Sequence, residues 1–231
     1  MILVLNFFLQ DDFAKSFDRV IKRHLSKAHV EAHIIRVREK TSAEEVLQQA
    51  GDATHLILSG SEASTLEDLG WEDEMKKVIE AFMKENKPIL GICYGHQFLV
   101  RCLAGKAYLR KAPHPEMGWG NLVLKGNKLF EGLEDPICLL SHYDEAVNLP
   151  EDFHVLGSSD KCDIHAFQYK KLPVWGVQFH PEYDLVAGQE IFDDLKEKDP
   201  AFPRQFVDEL DDESRLEQNT TFFINFIAAK G

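Results

Sequence analysis

Apolar and polar positions along this chain change their rhythm about halfway. Up to residue 104, short apolar runs at 2–8, 32–37, 55–59 and 88–93 alternate with stretches at about 12–27, 43–49, 72–85 and 95–104 in which apolar residues return every three or four positions. Such runs read as buried strands and the stretches between them as amphipathic helices, so the first half predicts successive β-α-β units. Strands without polar alternation need helices on both faces of a parallel sheet. Beyond residue 120 the runs shorten, to 121–125, 137–140, 154–157, 164–169 and 174–179 with turns between them, which predicts a partly antiparallel extension of the same sheet. A last helix at about 220–230 sets Phe222, Phe223, Phe226 and Ile227 at helical spacing against the body. The expected fold is α/β: three layers, α/β/α, around a mostly parallel central sheet of flavodoxin-like type. Sheets of this kind bind ligands beyond the carboxyl ends of their strands, where Gly60 and Cys93 fall.

Nothing in 231 residues marks an internal linker or repeat, so one domain over 1–231 is expected, with a charged extension at about 184–231. The 39 acidic and 26 basic residues give a net charge of -13, which disfavours nucleic acid or an anionic membrane surface as partner. The apolar start at 1–9 lacks a basic flank and a cleavage site and runs into Gln10, Asp11 and Asp12, so it reads as a first core strand rather than a signal peptide. Cys93, Cys102, Cys138 and Cys162 have neither metal-ligand nor disulfide-framework spacing, which suits a reducing cytoplasm. The last three read as small buried hydrophobes. No metal or organic cofactor is expected, and His24, His29 and His33 read as solvated.

Chemistry concentrates in two stretches. In Gly91-Ile92-Cys93-Tyr94-Gly95 a strand turns sharply into a helix, with small residues two before and two after the cysteine. That is the G-x-C-x-G form of a nucleophile elbow, whose strained turn exposes the side chain at its centre. At the positive end of a helix a thiolate is favoured over a thiol. A nucleophile of this kind needs a base and a group to orient it, and His180-Pro181-Glu182 offers both. In extended chain positions i and i+2 share a face, so Glu182 can hold one imidazole nitrogen of His180 while the other faces Cys93. Gly60, after the third strand, is a candidate backbone donor to an oxyanion, together with the amide of Tyr94. His96 and His142 are other conceivable bases, but neither has a carboxylate at the spacing of Glu182.

The pair of motifs, G-x-C-x-G-x-Q followed far downstream by F-H-P-E, resembles the class I glutamine amidotransferase family over residues 1–183. Its central part looks most like the glutaminase domain of GMP synthetase, with support from Leu58-Ser59-Gly60, Gly118-Trp119-Gly120 and Ser141-His142-Tyr143-Asp144-Glu145. The resemblance implies Cys93, His180 and Glu182 as catalytic triad, a glutamyl thioester intermediate, and release of ammonia to a separate ATP-dependent synthetase. It also implies that Gln97 helps hold the substrate and that Ser141, His142 and Tyr143 receive the amino and carboxylate ends of glutamine, largely through backbone groups. The other reading of Gln97, less favoured than substrate contact, is a polar residue on the solvent side of a helix. The turn-rich stretch at 113–120 resembles a wall beside the active site, or else holds Trp119 as a core residue after a loop.

Two departures from the family pattern bear on function. Relatives often have a second glycine where Ser61 follows Gly60, and no synthetase is present in this sequence. The rival readings are therefore a γ-glutamyl peptidase using the same triad on a γ-glutamyl small molecule, and a non-catalytic regulatory or binding subunit. The charged residues 189–218 carry no functional reading.

Overall fold

The first strand, β1 (Ile2–Asn6), sets the layering of the computed structural model, which describes residues 1–230. Its residues are all buried, Ile2 and Val4 in one apolar cluster and Leu3 and Leu5 in another. Successive strand residues face opposite sides, so the two clusters lie on the two faces of the sheet. One face is filled by α1 (Asp11–Lys27) and the final helix α7 (Asn219–Ala228), through Phe17, Ile21, Leu25, Phe222, Phe223 and Phe226. The other is filled by α2 (Ala43–Ala50), α3 (Glu72–Lys84) and α4 (Tyr94–Leu103), through Val46, Met75, Ile79 and Phe98. Local signals agree with these helices. Asp11 and Asp12 start α1 and Lys27 ends it, matching its dipole, and Ser42 with Glu45 forms a capping box at the start of α2.

β1 lies between β2 (Ala32–Arg36) and β3 (His55–Leu58), followed by β4 (Ile89–Ile92) and β10 (Val174–Val177), and these five strands are parallel. The sheet then continues antiparallel through β9 (Ala166–Tyr169), β8 (Phe153–Ser158) and β6 (Val123–Leu124), which is the expected extension. The chain leaves β1 toward β2 and returns to β3 on the other side, so a switch point opens at the carboxyl ends of β1 and β3.

A second sheet is not predicted by the alternation. β5 (Leu109–Asn121) pairs antiparallel with β7 (Ile137–Ala146), and β11 (Phe206–Asp208) pairs parallel with β5. The stretch at 113–120 is therefore strand, irregular between Lys111 and Glu116. Trp119 in it is buried edge-on to Phe192, with ring centroids 5.9 Å apart, which makes it a core residue and no part of a wall. Beyond Tyr183 the chain forms α5 (Leu185–Lys198), capped by the Asp184 side chain, then the short α6 (Phe202–Gln205), and Phe192 and Phe202 join Trp119 in a small third cluster. No helix among the described residues is long and apolar enough to cross a membrane.

The expectation of a solvated His24 is corrected. Its ring is buried against Phe223, Nε2 donates to the Glu182 carbonyl at 3.1 Å, and the Thr220 hydroxyl donates to Nδ1 at 3.2 Å. The i, i+3, i+4 spacing of α1 carries His24 inward with Phe17, Ile21 and Leu25. Burial pushes His24 down to about 4 and His96 to about 3, so both fold as neutral rings. In the unfolded chain such groups titrate near ~6.5, so below that pH the unfolded state binds more protons and stability falls as pH drops. The melting temperature should therefore decline between about pH 6.5 and 4. The decline should be shallower in His24→Gln, and parallel melting profiles for the two proteins would contradict this account.

Candidate active site

The turn from β4 into α4 leaves no room for side chains at its flanks. A Cβ on Gly91 would lie 2.4 Å from the Gly95 carbonyl oxygen, and a Cβ on Gly95 would lie 2.4 Å from that of Leu58. Between them Cys93 takes φ 49° and ψ -100°, a conformation that a non-glycine residue holds only under constraint. Hydrogen bonds from the Cys93 amide to Val177 (2.8 Å) and from the Gly95 amide to Ser59 (3.0 Å) fix it. The thiol lies in a cleft of about 300 Å³ at the switch point. It donates to the Ser141 carbonyl at 3.5 Å and accepts from Gln178 Nε2 at 3.5 Å.

His180 lines the same cleft, just beyond β10. Its amide donates to the Leu139 carbonyl at 2.9 Å, an isolated bridge that ties it to β7. Nδ1 donates to Glu182 Oε1 at 2.8 Å. Glu182 is fully buried, and its Oε2 has no hydrogen-bond partner among the described residues. Burial, the largest influence on His180, favours the neutral ring, but the Glu182 carboxylate and the Cys93 sulfur together outweigh it and raise the imidazole to about 10. The arrangement therefore holds an imidazolium between a carboxylate and a sulfur. Gly60 makes room for it, since a Cβ there would sit 2.9 Å from the ring.

The other residues singled out in the sequence divide. The amides of Gly60 and Tyr94 have no acceptor among the described residues. Ser61 stiffens the turn after Gly60 by donating to the Phe7 carbonyl and accepting from the Ala63 amide. Ser141 and Tyr143 line the cleft, and the Tyr143 hydroxyl donates to Asp199 at 2.5 Å. Gln97 lines it too, but is neither solvent-facing nor free: its amide donates to Asp144 O and Gln178 Oε1 and accepts from Thr65. The ring of His142 is held between the Asp144 carbonyl and Glu116, and His96 is buried outside the cleft, so neither is placed as a base toward Cys93.

Sequence reasoning missed the mouth of the cleft. Lys111 pairs with Asp144 at 2.7 Å on one side, and Ile191, Asp194, Leu195 and Lys198 of α5 close the other. The spacing of those four residues is that of one helix face, a signal present within the charged stretch. Cysteine and histidine spacing also hid a buried group, Glu116, His142, Cys162 and His165, which the fold brings together and of which His142 also lines the cleft.

Residues 9–196 match the family described as Glutamine amidotransferase class-I. The chain belongs to the class I glutamine amidotransferase family. It is 34% identical over 184 residues to one of the subunits of the glutamine-hydrolysing GMP synthase of Methanosphaera stadtmanae, covering 78% of this chain and 90% of that protein. It is 36% identical over 174 residues to the glutamine-hydrolysing GMP synthase of Thermosipho africanus, covering 71% of this chain and 32% of that longer protein. A glutamine amidotransferase structure from Thermotoga maritima superposes with a TM-score of 0.75, over 98% of this chain and 95% of that one at 18% identity, and so shares its fold. This is a cysteine-dependent glutamine amidotransferase.

The raised imidazole gives this amidotransferase a titration signature. At about pH 8, well above the ordinary histidine value of ~6.5, His180 should carry protons on both nitrogens. Nitrogen NMR of the ring should show this, with the Nε2 proton, on the side away from Glu182, lost only as pH climbs toward about 10 and the Nδ1 proton kept by the carboxylate. The sign is fixed by the raised value: the attraction stabilises the fold fully below ~6.5 and is lost on passing about 10. Glu182→Gln should move the midpoint down, and a midpoint unmoved by that change would remove the carboxylate as its cause.

Proposed function

We propose that this chain hydrolyses the side-chain amide of glutamine through a thioester on Cys93 and supplies the ammonia to a separate synthetase. The observation that carries the reading is one cleft holding Cys93 at a strained elbow and His180 gripped by buried Glu182. With its proton passed to His180, the Cys93 sulfur attacks the amide carbon, and the carbonyl electrons move to oxygen. The free amides of Gly60 and Tyr94 receive that oxyanion. His180 gives its proton to the leaving nitrogen, the C–N bond breaks, and ammonia departs from a γ-glutamyl thioester. Neutral His180 then takes a proton from water as the hydroxide adds to the thioester carbon, and collapse returns glutamate and the sulfur. Glu182 keeps the ring in one orientation and stabilises it while charged.

The relatives support a separate partner. The Methanosphaera protein is named as one part of a synthase made of separate subunits, and the Thermosipho protein is about three times the length that this chain spans. We extend to this chain the division of labour that those names describe, with nothing assigned to nucleic acid or membrane.

Cys93→Ala should remove glutaminase activity by about 10⁶-fold, the scale seen when a triad nucleophile is deleted, and His180→Asn should be nearly as severe. Glu182→Gln should lose less, about 10⁴-fold, because an orienting group is secondary to the base. Steady-state ammonia release from folded variants reads the order, and equal losses at His180 and Glu182 would give Glu182 a direct part in proton transfer.

Activity of the chain alone tests the partner. Glutamine hydrolysis should be slow in isolation and rise when the cognate synthetase is added with ATP and acceptor, since one misplaced oxyanion donor forfeits ~3 kcal/mol. Fast unassisted cleavage of γ-glutamyl dipeptides, with glutamine a poor substrate, would overturn the reading in favour of a γ-glutamyl peptidase.

A further inference from the structure

Beside the cleft, which His142 also lines, four buried side chains converge: Glu116 on β5, His142 on β7, and Cys162 and His165 in the turn before β9. Their ligating atoms lie within 4.8 Å of one another. The two imidazoles stand almost perpendicular, at 85°, and both present Nε2 to the same oxygen, Glu116 Oε2, at 3.1 Å from His142 and 2.8 Å from His165.

Hydrogen-bond accounting shows why this group needs a cation. Nδ1 of His142 lies 3.1 Å from the Asp144 carbonyl, which can only accept, so Nδ1 carries a proton. In the neutral ring Nε2 is then a lone pair facing a carboxylate oxygen. Two acceptors at that distance in a buried site are held together only by a positive charge between them, either a second proton or a metal ion. Nδ1 of His165 has no partner among the described residues in either case, so the choice is made on the Nε2 side.

We propose that Glu116, His142, Cys162 and His165 bind a zinc-like divalent cation as a closed, structural site. Two imidazole nitrogens, one carboxylate oxygen and one thiolate form a four-ligand set suited to tetrahedral zinc. Bonds of about 2.0–2.1 Å at tetrahedral angles set neighbouring nitrogen and oxygen ligands roughly 3.3 Å apart, so the observed contacts need to open by only a few tenths of an ångström. The surroundings are those of a metal site. His142 donates its other N–H to a backbone carbonyl, and the Ser159 hydroxyl donates to Glu116 Oε1 at 2.8 Å. The same Ser159 oxygen accepts from the Cys162 amide at 3.0 Å, so one serine orients both the carboxylate and the turn that carries the thiol.

The test uses the full chain. Protein expressed with added zinc should contain about one equivalent per chain by elemental analysis. Cobalt(II) replacing it should give a thiolate-to-metal charge-transfer band that persists in Cys93→Ala and vanishes in Cys162→Ser. Ser159→Ala, which removes no ligand, should weaken zinc binding by about 10–100-fold in competition with a chromophoric chelator. Folded wild-type protein with less than about a tenth of an equivalent of zinc and no cobalt band would overturn the proposal and leave His142 as an imidazolium paired with Glu116. A cobalt band lost in Cys93→Ala, or unchanged in Cys162→Ser, would overturn it equally by moving the metal elsewhere.

Discussion

At the β4–α4 turn backbone meets backbone: any side chain at Gly95 would strike the Leu58 carbonyl, and any at Gly91 would strike Gly95. This contact lets α4 begin directly above the ends of β3 and β4, and it forces Cys93 into a positive φ that costs of order 1–3 kcal/mol. The surrounding sheet over-determines that conformation through the Cys93–Val177 and Gly95–Ser59 hydrogen bonds. A thiol raised in this way sits at a helix start, beside backbone amides that the helix cannot use. The thiol in the cleft and the free amides beside it therefore depend on the same absence of two Cβ atoms.

A second constraint is electrostatic. Glu182 has no exposed surface, and one of its oxygens has no partner among the described residues, so its charge requires a cation nearby. His180 is that cation, and its elevated pKa is the counterpart of the buried carboxylate. Its position comes from the smaller sheet, through the bridge to Leu139 on β7. The parallel sheet thus carries Cys93, and the antiparallel one steadies His180.

Legibility in the sequence follows local chemistry. The four β-α units, the elbow and the His180-Glu182 pair are written in contiguous residues, and their spacing is enough to place them. Three features are not local. A histidine on a charged helix usually reads as solvated, yet the three-to-four-residue face of α1 buries His24. The second sheet depends on β5 pairing with β7 and β11, a long-range register that no periodicity records. The cleft mouth draws on α5, whose Ile191, Asp194, Leu195 and Lys198 share one face but whose charges mask that pattern. Gln97 illustrates a different limit: its place one turn after Cys93 is legible, but the three protein groups that occupy its amide are not.

β7 is where these separate parts meet. The Asp144 carbonyl accepts from His142 on its own strand and from Gln97 on α4, at 3.1 and 2.8 Å. Gln97 in turn donates to Gln178, and Gln178 donates to the Cys93 sulfur. Ser141 on the same strand accepts from that sulfur, while Leu139 holds the amide of His180. A continuous polar path therefore runs from the buried Glu116 group, through one carbonyl and two amides, to the nucleophile. Buried networks of this kind tolerate little displacement, because each unmatched donor or acceptor costs about 1–3 kcal/mol. On β7 that network is anchored at His142, which Glu116 of the paired strand β5 ties to His165.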